Sequence, residues 1–293
     1  AQSLNLEVTD NLKKSFHQKM EIDNNAYLLF LKGKSYANHM SGANDLEKSK
    51  KLIKDALDID DNFPEAYASL GYTYQLLGEF DDAEEMLEEA LELAKENNDP
   101  EILSLVDNNM GILYKATGKI KKSISFFEKA LKYQKNVNDR YIQAHIYNNM
   151  SQCHSRLGDI DLAINLILRA QKIYADFEDS EKLGAAYGML GNTYKSKGDT
   201  KSSIKYHSMA KSIFLKEKMF YSYAHSLILQ SEVYLLVNDN DNAWKNLNES
   251  LTYTKSFNNP MMNGRITFSM AQAHYNNSDW GDALDSIEDS IDV

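Results

Sequence analysis

Two kinds of side chain in this sequence of 293 residues could do chemistry: a few nucleophilic or metal-ligating groups, and a set of carboxamides. The seven histidines are scattered, with no HExxH and no pair at i and i+4 that would set two imidazoles on one helical face. Cys153, the single cysteine, stands beside His154. Neighbours on a helix point about 100° apart, so a small buried thiol is expected rather than a thiolate couple. No GxxxxGK[ST], no GxSxG and no glycine-rich loop between strand and helix is present. The expectation is therefore no enzyme, no cofactor and no metal site. The carboxamides differ: Asn108 and Asn109 in DNNMGILY, Asn148 and Asn149 in YNNMSQCH, and Asn192 in GMLGNTYK recur in similar surroundings. Asparagine is a mediocre helix former, and its amide offers a donor and an acceptor together, which is what a peptide backbone requires.

The elements that position these amides follow from a forty-residue rhythm. Gly71, Gly111, Ser151, Gly191, Ser231 and Ala271 are small, and three residues after each comes a ring: Tyr74, Tyr114, His154, Tyr194, Tyr234, His274. Seven after stand Gly78, Gly118, Gly158, Gly198, Asn238 and Ser278, where a helix can end in a left-handed residue. Twelve and nineteen after are small again, as in Ala83 and Ala90. Sixteen after is bulky: Leu87, Phe127, Ile167, His207, Leu247, Ile287. Small residues let two antiparallel helices approach, and the ring and bulky residue fill what remains. A single hairpin cannot bury its apolar side, so hairpins must stack. Gly33, Tyr36, Ser49, Ile53 and Ala56 fit a divergent first unit with about four extra residues around 39–43.

The motif resembles the tetratricopeptide repeat, in a forty-residue form, through Leu70, Gly71, Tyr74, Gly78, Ala83 and Ala90. The resemblance implies an all-α, right-handed superhelix, an α-solenoid of about seven helix-turn-helix repeats. They are expected near 24–60, 61–98, 99–138, 139–178, 179–218, 219–258 and 259–293, as a single solenoid over 24–293. Residues 1–23 read as a linker or short helix capped by Thr9 or Asp10. AYLLFLKGKSY and ALDIDDNFPEAYASLGYTY resemble the repeat region attached to bacterial class III adenylate cyclases and winged-helix regulators, which implies part of a larger polypeptide with a sensing role as a second reading. Asp99, Asp139, Asp179 and Asn259 are expected to cap first helices, whereas Met219 leaves repeat six without a cap. Pro100 and Pro260 follow two of these caps, at the position where a missing amide proton costs nothing. After Val293 the native chain is expected to continue, or its end to be covered.

In such a superhelix, residues three before, one after and four after each small anchor line the concave groove, with those two and six before flanking them. That stripe contains Asn108, Asn109 and Lys115; Asn148, Asn149, Gln152 and Arg156; then Gly188, Asn192 and Lys195. The paired asparagines look like the groove motif of kinesin light chains and of scaffold repeats that bind polarity proteins. Each glycine inside a helix costs about 1 kcal/mol relative to alanine, so Gly184 and Gly188 call for compensation, by a close ligand or by tight packing. Lys34, Lys115, Arg156, Lys195 and Arg265 against Glu65 and Glu232 make the stripe locally basic in a chain of net charge −11. An extended, acidic protein segment is the expected partner. Ile228, Leu235, Leu236, Phe268 and Tyr275 form an apolar stretch expected to be exposed, suited to a hydrophobic end of that segment or to a homo-oligomer through the C-terminal repeats. The net charge argues against nucleic acid. No run of eighteen apolar residues is present, so no membrane span is expected, and a single cysteine suits a reducing, cytoplasmic setting.

Overall fold

Every element is a helix in the residues that the computed structural model describes, 22–38, 42–254 and 259–277. Contacts divide the chain into two units. In the first, residues 1–139, the helices are α1 (Asn24–Asn38), α2 (Ala43–Leu57), α3 (Pro64–Leu77), α4 (Phe80–Glu96), α5 (Pro100–Ala116) and α6 (Ile120–Val137). In the second, residues 140–293, they are α7 (Arg140–Leu157), α8 (Ile160–Asp176), α9 (Ser180–Lys197), α10 (Thr200–Lys216), α11 (Phe220–Leu236), α12 (Asn240–Thr254) and α13 (Pro260–Asn276). The expected N-terminal cap at Thr9 or Asp10, residues 39–41 of the extra segment, and Ser278, Ala283, Ile287 and Ser290 of the last repeat lie outside the described residues.

Within each unit, consecutive helices pack as antiparallel pairs, and first helices of successive pairs also touch: α1 with α3 and α3 with α5, then α9 with α11 and α11 with α13. The small anchors explain how closely the pairs approach. A Cβ added to Gly71 would lie 2.7 Å from Leu87 Cγ, one on Gly111 2.5 Å from the Phe127 ring, and one on Gly191 2.6 Å from the His207 ring. So the residue sixteen positions on is inserted against the anchor of its own repeat. Leu87, Phe127, His207 and Leu247 are fully buried there. Where the residue twelve on is serine, its hydroxyl donates to the anchor's carbonyl, Ser123 to Gly111 at 2.6 Å and Ser203 to Gly191 at 2.7 Å. A buried hydroxyl thus keeps a partner in an otherwise apolar crossing.

Helix ends follow the same period. Gly78, Gly118, Gly158 and Gly198 are left-handed, as is Asn238. A second left-handed set, invisible as glycines, closes the second helices: Asn98, Asn138, Glu178 and Lys218, with φ between 49° and 58°. Asp99 accepts from the backbone N–H groups of Glu101 and Ile102, Asp179 from Lys182 and Asn259 from Met262. Met219 makes no side-chain cap, as expected.

Candidate functional site

In the first unit, α5 carries Asn108, Asn109 and Lys115. Asn109 is buried, and its amide donates to the Ala68 carbonyl of α3 at 3.2 Å. It therefore ties two first helices together. Asn108 is partly buried; its amide reaches Asn109 at 3.5 Å, while its oxygen has no hydrogen-bond partner within the protein. Lys115 is partly buried.

The second unit holds the other expected residues. On α7, Asn148, Asn149 and Gln152 are partly buried and Arg156 is exposed. On α9 the two interior glycines other than the anchor Gly191 separate. A Cβ on Gly184 would strike the Phe214 ring at 2.6 Å, so helix packing accounts for it. At Gly188 a Cβ would meet nothing within 4 Å. One turn on from Gly188, the Asn192 amide oxygen is buried without a protein partner. Another turn brings Lys195.

Lys195 opens a cleft of about 510 Å³ on the first-helix face of α9, α11 and α13. Glu232 of α11 binds two cations in it: Lys195 Nζ donates at 2.9 Å, and the Arg265 guanidinium of α13 donates to the other carboxylate oxygen. Burial alone would raise the Glu232 carboxyl, but hydrogen bonds from Lys195 and Arg265 outweigh it and hold it below its ordinary value. Arg265 also donates to His225 Nε2 at 3.2 Å. Since a guanidinium can only donate, that imidazole accepts at Nε2 and is neutral. Burial, with Arg265 beside it, lowers the His225 pKa accordingly. Leu236, Met261 and Phe268 line the cleft and are 60%, 79% and 61% exposed, with Ser269 and Gln272 alongside. Tyr275 is exposed further along α13.

The structure corrects one expectation and refines two others. Ile228 and Leu235, read as part of an exposed apolar stretch, are buried, because α11 packs against both α9 and α13 and more of its circumference is covered than a lone hairpin would bury. Lys195 and Arg265 share Glu232, which leaves the trio one positive charge in excess, as counting the three residues gives. Of the two explanations open for Gly184, tight helix packing holds. His207 takes the packing role expected for it, and Cys153 is a buried thiol.

Residues 64–136, 102–176 and 143–216 match the tetratricopeptide repeat, together more than half of the chain. The chain therefore belongs to the tetratricopeptide repeat family, and its fold is an all-α solenoid of such repeats. Among solved structures it is similar to the Signal Transduction ATPase with Numerous Domains (STAND) protein with a tetratricopeptide repeat sensor from Pyrococcus horikoshii. That similarity has 17% identity and a TM-score of 0.77, over 92% of this chain and 42% of that one. The apo form of RapI is similar at 15% identity and TM-score 0.67, over 91% and 96%, and BtubC (BKLC) from P. vanneervenii at 21% and 0.63, over 74% and 91%. At these identities the likeness concerns the fold. No curated protein matches the chain. Repeats of this family make protein-interaction or scaffold modules, and among the described residues no helix is long and apolar enough to cross a membrane.

Proposed function

We propose that the first-helix face of the second unit binds an extended, acidic segment of a partner protein, as the regulatory or scaffolding part of a larger assembly. The observation that carries this reading is Gly188. It sits inside α9, where glycine costs about 1 kcal/mol, and no neighbour within 4 Å explains the missing side chain. A partner backbone drawn close to the helix would explain it. Asn192 stands one turn away with a buried amide oxygen that a backbone N–H of such a segment would satisfy. Asn148, Asn149 and Gln152 extend the same chemistry onto α7, and Arg156 and Lys195 add positive charge that favours acidic segments through on-rate and register. Asn108, Asn109 and Lys115 are the corresponding residues of the first unit, where Asn109 serves packing as well.

The test is the double substitution Asn149→Ala, Asn192→Ala, measured by fluorescence anisotropy against peptides selected on the unmodified chain from a random display library. Helicity should stay unchanged and affinity should fall at least tenfold. Unaltered affinity would remove the reading.

A further inference from the structure

The cleft shared by α9, α11 and α13 has features that backbone gripping alone does not require. Three large apolar side chains, Leu236, Met261 and Phe268, stand mostly exposed in one concavity beside a half-buried ion trio. Exposed apolar groups gathered in this way mark an interaction site, and about 510 Å³ lies in the range of pockets that enclose a ligand group. We propose that this cleft is a specificity pocket that takes one large apolar side chain of the partner segment, with a carboxylate of that segment, one or two residues away, seated on Lys195 and Arg265. The inference rests on the function proposed above and narrows its partner to segments carrying that pair.

Charge decides the occupant. Lys195 and Arg265 carry one more charge than Glu232 cancels, within a chain of net charge −11. Both cations keep donors in reserve: an ammonium has three and a guanidinium five, and Glu232 and His225 engage only some of them. A carboxylate can therefore be added without breaking the clasp. Because Glu232 already fixes both long side chains, less side-chain entropy is lost when the ligand arrives. A basic segment would bring its charges against two cations, which selects against it. A second copy of this chain is disfavoured as occupant, since two bodies of like charge repel.

The experiment selects random peptides on the full chain and measures their affinities for Phe268→Ser, Met261→Ser and Arg265→Gln. Phe268 and Met261 are mostly exposed, so neither substitution should lower the melting temperature. The expected consensus places an aromatic residue, Leu or Met within two positions of Asp or Glu. Replacing that apolar residue by Ala, or its acid by Lys, should weaken binding at least tenfold, and Phe268→Ser and Met261→Ser should do the same. Arg265→Gln should weaken the acidic peptide but not a version with Asn in place of the acid. A basic consensus overturns the proposal. So does concentration-dependent self-association, seen by sedimentation and abolished by Phe268→Ser, which would assign the cleft to a second copy. Peptides indifferent to all three substitutions but lost on Asn149→Ala, Asn192→Ala overturn the pocket while leaving the wider face intact. A library that yields no binder removes both.

Discussion

Replacing His207 by leucine tests how the repeat is built. His207 occupies the slot that Leu87 and Leu247 fill in other repeats; it is fully buried against Gly191, and neither ring nitrogen has a hydrogen-bond partner. Burial, reinforced by Lys195, pushes its pKa from 6.5 down to about 4; Glu232 opposes the change, and His225 and Lys211 add to it. The folded state thus holds the ring neutral while the unfolded chain binds a proton below 6.5. Stability is full above that value and is lost as the pH falls to about 4. The loss amounts to about 3 kcal/mol, at 1.36 kcal/mol per decade. Leucine should abolish this dependence and, at neutral pH, add about 1–3 kcal/mol by removing two unpartnered buried nitrogens. Urea denaturation followed by tryptophan fluorescence suits the measurement, because Trp244 and Trp280 both belong to residues 140–293. The gap between His207→Leu and the unmodified chain should widen steadily from pH 7 to pH 4. A gap that stays constant, or narrows with acid, refutes the reasoning.

Asp107 should behave in the opposite sense in the first unit. Burial raises its carboxyl from 3.8 to about 6, against Lys129 and Lys95, so the folded state favours the protonated acid and stability is lost as pH rises through about 6. Asp107→Asn should then stabilise by about 3 kcal/mol at pH 7 and by nothing below pH 4, read from thermal melts. The two kinds of helix-interior glycine should also part company. Gly111→Ala would drive a methyl into Phe127 and destabilise by about 1–3 kcal/mol. Gly188→Ala should stabilise by up to about 1 kcal/mol in the same melts yet weaken peptide binding at least tenfold.

Much of the fold was legible because the forty-residue rhythm has a steric cause. A small anchor and a bulky residue sixteen on are the two halves of one contact, as Gly71 with Leu87 and Gly111 with Phe127 show. Glu178 and Lys218 escaped notice because the left-handed turn after a second helix is imposed there on residues that carry no turn signal. The division near residue 139 was equally silent: the repeat phase runs through it unbroken. The candidate site was less readable. A helical wheel tells inside from outside for one hairpin, but contact between successive first helices buries Ile228 and Leu235 on the side that looks free. Nor can a count of charges reveal that Lys195 and Arg265, on helices forty residues to either side of Glu232's, meet on one carboxylate. What the sequence did contain was the exception to its own packing rule. Gly188 is neither an anchor nor a turn, and it is a helical glycine with open space before it.

Hydrogen–deuterium exchange of the full chain, with and without a selected peptide at saturation, tests the central claim most directly. Protection should concentrate on the first helices of the second unit, α7, α9, α11 and α13, strongest around Gly188 to Lys195 and Arg265 to Gln272, with α8, α10 and α12 unchanged. Protection centred on those second helices instead would contradict the account.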